Sequence, residues 1–178
     1  MLEHFRELSF SLDLVAFLAT IALHLVKTNR NIIRLYAIQS LMVASFLLLV
    51  GIAEGSRGFL FVALLTLCIK VIIAPLFFSR LVRRYGSRFT VNNYLSTPWT
   101  LIVLMGLVFF SYSQVFLPLG MLVPEAYGVF PLNLALIFVS IFMLINRRGA
   151  FSQMIGILSL ENSILLLATF IGIHQPIA

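Results

Sequence analysis

Two charged residues lie in the middle of long apolar stretches, and they carry the most informative chemistry in the sequence. Glu161 lies in the apolar run 150–173, and Lys70 lies in the run 59–79. At 1.5 Å per residue, a helix of either length crosses about 30 Å of hydrocarbon, which places both charges near its midplane. A charge at that depth costs about 2.5–3.5 kcal/mol on insertion scales. Both residues are therefore candidates for a function such as proton transfer.

Glu161 needs a partner, because its own helix face is apolar (Met154, Ile157 and Leu158 among others). Either its carboxyl group is protonated, or a neighbouring helix supplies a cation or water. Lys70 is the only buried cation in the chain, and its depth matches. A direct Lys70–Glu161 pair is one hypothesis, and a cation from a partner subunit is the alternative.

Two residues near Lys70 strengthen its candidacy. Pro75 has no N–H, so it predicts a helix kink that leaves the carbonyl of Val71 without its helical partner. Thr66 lies four residues before Lys70, on the same helix face, where it could share a hydrogen bond. A kink beside a buried lysine favours water and proton traffic. A kink that serves packing alone is the structural alternative.

Other polar side chains on apolar helices extend the hypothesis. Asn162 adjoins Glu161, and Gln39 with Ser40 could form a polar opening towards the cytoplasm. The predicted proton pathway comprises Glu161, Lys70, Asn162, Gln39 and Thr66. For the remaining polar residues of the last helix, interhelical hydrogen bonding is the simpler interpretation; these are Gln153, Ser159 and Ser163.

Composition identifies the solvent in which the chain folds. Of its 178 residues, 61% are apolar and 10% are charged, whereas ordinary soluble domains carry about 25% charged residues. We expect an all-α integral membrane protein that forms a single transmembrane domain over residues 1–178, in the cytoplasmic (inner) membrane. The six predicted helices lie near residues 10–26, 32–53, 59–79, 99–115, 128–145 and 150–173.

Basic residues predict the orientation. Nine lie in odd-numbered connections and only two, Arg6 and Arg57, on the opposite side. By the positive-inside rule, both termini then face the outer (periplasmic) side. The nine are Lys27, Arg30, Arg34, Arg80, Arg83, Arg84, Arg88, Arg147 and Arg148.

Three further features are weaker. Residues 1–9 form a polar lead, and Asp13 and His24 are expected at the membrane interfaces.

A shift of 118 residues aligns Arg30 with Arg148, which suggests an internal repeat. Cys68 is the only cysteine, and the three histidines are scattered, so we expect neither a metal site nor a cofactor in this chain.

Three segments together resemble the hydrogenase-4 component E family. They are residues 34–41 (RLYAIQSL), 69–76 (IKVIIAPL), and 153–156 (QMIG) with 160–162 (LEN). That family supplies membrane subunits of group 4 [NiFe]-hydrogenase and formate hydrogenlyase-type complexes. The last helix is also similar to the K subunit of bacterial complex I, although that subunit's proton-pathway glutamate aligns with Leu158, one turn before Glu161.

The resemblance implies a non-redox membrane subunit that contributes to proton translocation. It places the NiFe and iron–sulfur centres in partner subunits of the assembly, beside other membrane and peripheral subunits, and implies no nucleic acid. Two alternatives stay open. One is a structural subunit that connects pump modules through a static Lys70–Glu161 pair, and the other is a stand-alone secondary transporter.

Overall fold

Long helices account for almost all of the fold in the computed structural model, which describes residues 2–85, 91–121 and 129–173. The all-α prediction is confirmed. The helices are α1 (Leu2–Leu25), α2 (Asn29–Ala53), α3 (Arg57–Thr66), a π-helical segment (Leu67–Ile73), α4 (Ala74–Tyr85), α5 (Thr97–Ser111), a 3₁₀ turn (Gln114–Phe116), α6 (Leu117–Met121), α7 (Phe130–Asn146) and α8 (Ala150–Ile173). Two short strands, β1 (Asn92–Asn93) and β2 (Arg147–Arg148), pair antiparallel.

Two predicted boundaries differ from the structure because polar residues continue a helix beyond its apolar part. Residues 2–9 of the predicted polar lead belong to the first helix, since α1 is helical from Leu2 onwards. The predicted connection from residue 80 begins instead as the last turns of α4, which end at Tyr85. Basic side chains favour the last turn of a helix, where they face the negative end of its dipole. Arg88 and half of the predicted connection 116–127, residues 122–127, lie outside the described residues.

Four helical segments of the described chain are long and apolar enough to cross a membrane. They are Glu7–Leu25, Asn29–Ala53, Arg57–Tyr85 and Ala150–Gly172. Residues Thr97–Ser111 and Gln114–Gly120 add a fifth if this pair, bent by 42°, forms one span. The fifth predicted helix, near 128–145, corresponds to α7, which has 17 residues, about 25 Å at 1.5 Å per residue. The structure therefore supports a multi-pass helical membrane protein with four to five candidate spans.

The fold is organised around two helical hairpins, α1–α2 and α7–α8, which pack side by side. Asp13 of α1 contacts Asn133 of α7, and Arg147, directly after α7, contacts the carbonyl of Leu23 near the end of α1. The first helices of the two hairpins therefore run parallel. Their shared apolar core includes Val43, Leu47, Ala135, Leu136 and Val139.

Polar contacts reveal how the two hairpins correspond. Thr20 and Gln39, 19 residues apart, are bonded within the first hairpin, and Ser140 and Ser159, also 19 apart, are bonded within the second. Gln39 and Ser159 join the hairpins and are 120 residues apart. The correspondence is thus offset by 120 residues, not the predicted 118. Leucine-rich segments of the two hairpins can be aligned at several offsets. The Thr20–Gln39 and Ser140–Ser159 hydrogen bonds correspond only at an offset of 120 residues.

Two glycines position α8. Gly149 has φ 97°, in the left-handed region that a side chain disfavours, and it turns the chain from β2 into α8. A Cβ at Gly156 would lie 2.9 Å from Cδ2 of Leu144, so this glycine allows α7 and α8 to approach closely. The close approach brings the hydroxyls of α8 against those of α7.

The basic connections gather at one end of the bundle. β1 precedes α5 and pairs with β2, which follows α7, and the Asn93 amide donates to the carbonyl of His24 near the end of α1. Phe78 of α4 packs against Tyr36 of α2 and Phe151 of α8. The ends of α1, α4 and α7 and the starts of α2, α5 and α8 therefore meet there; we call it the basic end.

Candidate functional site

Lys70 and Glu161, the two charges that the sequence singles out, form an ion pair. Lys70 Nζ lies 3.0 Å from Glu161 Oε1. The lysine side chain is 9% exposed, whereas the glutamate side chain is 59% exposed. The direct pair is therefore the arrangement that the structure contains, with its cation inside the bundle and its anion on the outer surface.

The ammonium group of Lys70 has a second partner in the bundle interior. It donates to Asn162 Oδ1 at 3.0 Å, and Asn162 Nδ2 donates in turn to Ser40 Oγ at 2.9 Å. Asn162 and Ser40 are fully buried. Consecutive residues of α8 thus hold one ammonium, Glu161 from the surface side and Asn162 from the core side. Because Asn162 offers a neutral acceptor, the ammonium retains a hydrogen bond if Glu161 becomes protonated.

The backbone around Lys70 is a π-helix. The N–H of Ala74 donates to the carbonyl of Ile69, five residues earlier, and Pro75 has no N–H to donate. The Lys70 carbonyl would normally accept from the N–H of the residue four or five positions later, which is Ala74 or Pro75. Neither residue donates to it. The sequence predicts an open carbonyl at Val71, and the wider turn leaves the Lys70 carbonyl without its usual donors as well. The chain continues through Pro75 as one 29-residue span; the kink itself stays a prediction.

Thr66 is the last residue of α3 and is buried, but it does not bind Lys70. Among the described residues, the ammonium group of Lys70 contacts Glu161 and Asn162. The expectation of a shared hydrogen bond relied on the i,i+4 geometry of an α-helix. The π-helix begins directly after Thr66 and changes that geometry. A role for Thr66 in the pathway stays a prediction.

Gln39 lies deeper in the bundle than the sequence predicts. Its Nε2 donates to Thr20 Oγ1 at 2.8 Å and to Ser159 Oγ at 2.9 Å, and the residue is 1% exposed. Ser140 Oγ extends the chain, at 3.3 Å from Ser159 Oγ and 2.9 Å from Ser163 Oγ. Gln39 is therefore a junction of all four hairpin helices and not a polar opening at a helix end. We call Thr20, Gln39, Ser140, Ser159 and Ser163 the hydroxyl seam.

The hydroxyl seam and the Lys70–Glu161 pair lie next to each other, because Gln39 and Ser40 are consecutive residues of α2. Gln39 belongs to the seam, and Ser40 binds Asn162 beside Lys70. The interhelical bonding predicted for Ser159 and Ser163 is confirmed. Gln153 differs, because its amide donates to the Arg147 carbonyl in the preceding turn, at 3.3 Å.

Asp13 and His24 are buried inside the bundle, each 1% exposed, so their side chains contact neighbouring helices and do not extend outwards to headgroups as expected. The Asn133 amide donates to Asp13 Oδ2 at 3.3 Å. The ring of His24 donates from Nε2 to the Val139 carbonyl at 3.0 Å and stacks on Phe142. Sequence reasoning missed these contacts because burial of short polar side chains depends on which helix packs beside them. The available signal was that Asp13 and Asn133 are 120 residues apart, the same offset that relates the two hairpins.

Arg147 was expected to be a cytoplasmic basic residue, and it is instead fully buried at the basic end. Its guanidinium donates to the carbonyls of Leu23 and Val26 at the end of α1. Burial lowers the pKa of Arg147 to about 10, so the group is still charged at neutral pH. A cation there satisfies the last carbonyls of α1 and complements the helix dipole.

Comparisons with protein-family models, with curated proteins and with solved structures found no match to this chain. Within the described residues, no group of three or more His, Cys, Asp or Glu side chains could hold a metal ion. The function must therefore be argued from the geometry of the Lys70–Glu161 pair and its hydrogen bonds.

Proposed function

We propose that this chain is a non-redox membrane subunit of a group 4 hydrogenase-like or complex I-like assembly, where it contributes to proton translocation. Electron transfer, with the NiFe and iron–sulfur centres, belongs to partner subunits. The chain lies in the cytoplasmic membrane with the basic end in the cytoplasm and both termini outside. The observation that carries the proposal is the Lys70–Glu161 ion pair at 3.0 Å, backed by Asn162.

The asymmetry of the pair supports an exchange of protons. Glu161 is open to the outer surface of the bundle, where a partner subunit or water can deliver a proton. Protonation of Glu161 removes the negative charge that stabilises the Lys70 ammonium, since an opposite charge at this distance favours the charged form. Lys70 then releases its own proton towards the bundle interior. One proton is taken up at the surface, and one leaves on the inner side.

The interior offers polar groups along which that proton can leave. Asn162 and Ser40 lie next to the ammonium, and the hydroxyl seam begins at the adjacent Gln39. The Lys70 carbonyl, lacking its usual helical donors, is a further acceptor for an ordered water. Irregular backbone at membrane depth occurs where it is buried in protein or lines a cavity, and π-helical segments are frequent at functional sites.

The test is Glu161→Gln in the intact assembly that co-purifies with this chain. Gln keeps an oxygen that accepts from Lys70 but cannot exchange a proton, so assembly should survive while proton translocation falls at least tenfold. Pumping is measured in sealed vesicles, driven by the assembly's own redox reaction. Glu54→Gln, a change of the exposed glutamate after α2, is the matched control. Unchanged pumping in a correctly assembled Glu161→Gln variant would contradict the proposal.

A structural subunit that connects pump modules is the second candidate. Both charges already have partners, and Glu161 faces outwards, as a residue in a subunit contact would. In this case the pair is static, so Glu161→Gln would weaken assembly and pumping together. A fall in pumping with assembly intact separates the first candidate from this one.

A stand-alone secondary transporter is the third candidate. The repeated hairpins α1–α2 and α7–α8 are unbroken helices over their described lengths, whereas many such transporters bind substrate with discontinuous helices. Purification in mild detergent tests this candidate. A chain that is isolated as a free monomer from its native membrane would favour it over both complex-based functions.

A further inference from the structure

Asp13 is a buried acid that the proposed Lys70–Glu161 exchange does not use. It lies near the middle of α1, is 1% exposed, and has one hydrogen bond, from Asn133 Nδ2 to Asp13 Oδ2 at 3.3 Å. In the described part of the chain, no cation lies within ion-pair distance of it. A carboxylate in such a place lacks the partners that normally offset the loss of hydration.

Two oxygen atoms of this contact lack a donor. Asp13 Oδ1 and Asn133 Oδ1 are both buried, and within the described residues neither has a hydrogen-bond partner. Both atoms are acceptors when the acid is ionised. One proton on Asp13 Oδ1 supplies the missing donor, which Asn133 Oδ1 can accept. The acid and the amide then satisfy each other.

The amide orientation does not alter this conclusion. Asn133 Nδ2 also lies 3.5 Å from the Val129 carbonyl, which favours the orientation described. If the amide were reversed, its oxygen would face Asp13 Oδ2, and two acceptors would meet. Only a proton between them would make that contact favourable. In either orientation, a protonated acid supplies a donor that the described protein groups around this contact do not.

Among the side chains that the structure describes, few charged groups lie on the helices around Asp13. Helices α5 and α7 contain no titratable side chain, and those of α2 (Arg30, Arg34 and Tyr36) lie in its first two turns, at the basic end. On α1 itself, Glu7 lies six residues before Asp13 and His24 eleven residues after it, and the side chains of Glu3, His4 and Arg6 are outside the description. No described side chain thus supplies a positive charge that would hold Asp13 ionised.

We propose that Asp13 and Asn133 form a second proton-binding site, with the Asp13 carboxyl protonated at rest and its proton directed at Asn133 Oδ1. The site lies two turns from Thr20, the first residue of the hydroxyl seam, on the same helix. It rests on the Asp13–Asn133 contact and does not require the host assembly. Its ligand is a proton; a monovalent cation held by the same oxygens is the alternative outcome.

Asp13 is the only aspartate in the sequence, which makes the site directly observable. The full chain is made by cell-free synthesis with aspartate carrying ¹³C in its side-chain carboxyl group, and it is reconstituted into lipid nanodiscs. Infrared spectra of labelled and unlabelled protein are subtracted at neutral pH. We expect an isotope-shifted band of a protonated carboxylic acid, which Asn133→Leu displaces and which alkaline titration converts reversibly to carboxylate.

Two results would overturn the proposal. One is a carboxylate band at neutral pH with no protonated acid band. The other is a carboxylate band that shifts on addition of sodium or potassium ions, which would identify a cation site. Asp13→Asn, labelled in the same way, controls for scrambling of the isotope and should show no such band. The wild-type band by itself reports whether Asp13 is protonated, so the test remains valid even if Asp13→Asn folds poorly.

This outcome is independent of the proposed function. Unchanged pumping by Glu161→Gln would remove the hydrogenase-like hypothesis and leave the Asp13 band untouched. Conversely, an ionised Asp13 would remove the second site and leave the Lys70–Glu161 exchange as it stands.

Discussion

The two acids within the helical bundle, Glu161 and Asp13, are held in opposite ways. Glu161 is 59% exposed at its side chain and has an ammonium group 3.0 Å away, whereas Asp13 is 1% exposed and has one amide at 3.3 Å. The first is balanced by charge and the second by hydrogen bonding. The difference separates two ways for an apolar bundle to retain an acid: as half of an ion pair, as at Glu161, or as a neutral group, as we propose for Asp13.

Lys70→Met should produce the largest effect, because it removes the cation on which one side of this comparison depends. Glu161 and Asn162 both lose their partner. We expect proton translocation to be abolished and unfolding stability to fall by about 1–3 kcal/mol, between the values for exposed and buried pairs. Pumping in vesicles and denaturant titration in mild detergent measure the two effects.

Lys27→Met provides the matched control, since Lys27 is an exposed lysine in the turn between α1 and α2. It should leave both quantities close to wild type. Equal losses in the two variants would mean that net charge, and not the Glu161 contact, determines the effect.

Asn133→Leu should be next in size, because it removes the hydrogen bond that Asp13 has. A buried acid without a partner costs about 1–3 kcal/mol, measured as the shift in unfolding free energy. The double variant Asp13→Leu/Asn133→Leu should recover most of that loss, since replacing both partners by apolar groups can be nearly neutral. A double variant no more stable than Asn133→Leu would argue that Asn133 acts through packing alone.

Gln39→Leu probes the seam that lies between the two acids. Thr20 and Ser159 each lose a donor, so we expect the free energy of unfolding to fall by about 1–2 kcal/mol. Thermal unfolding measures this loss. If the seam carries protons, pumping falls as well. Gln114→Leu, at an exposed position of the 3₁₀ turn, is the control and should change neither.

Asp13→Asn should have the smallest effect on stability. An amide at position 13 resembles a protonated carboxyl group and can donate to Asn133 Oδ1, so unfolding stability should change by less than about 1 kcal/mol. Calorimetry on the purified chain in detergent measures it. A loss as large as that of Asn133→Leu would show that a negative charge at Asp13 stabilises the fold.

The sequence predicted the helical class and raised the Lys70–Glu161 pair as one of two hypotheses, because helix class and depth follow from one-dimensional quantities. Apolar run length indicates spans, and distance from the ends of a run indicates depth. The start of α8 at Ala150 agrees with prediction because Gly149 and the basic step before it mark the boundary. By contrast, the number of spans depends on the bent pair Thr97–Ser111 and Gln114–Gly120, and on α7, whose 17 residues are too few for composition to decide.

Contacts between helices could not be predicted in the same way. Gln39 and Asp13 lie at positions where the sequence predicts polar groups near a membrane surface, yet both are buried against helices more than 90 residues away. Which helices pack together is a property of the whole bundle. The π-helix at Lys70 is a second example, since Pro75 predicts a break but does not specify how the backbone accommodates it.

Charge reversal tests the exchange at the Lys70–Glu161 pair most directly. The double variant Lys70→Glu/Glu161→Lys keeps an ion pair between the same two positions but places the acid inside and the ammonium on the surface. Assembly and proton translocation are measured on the purified complex, beside each single variant. The account predicts that the double variant assembles better than either single variant and does not pump. Restored pumping would show that the pair is static and would contradict the account.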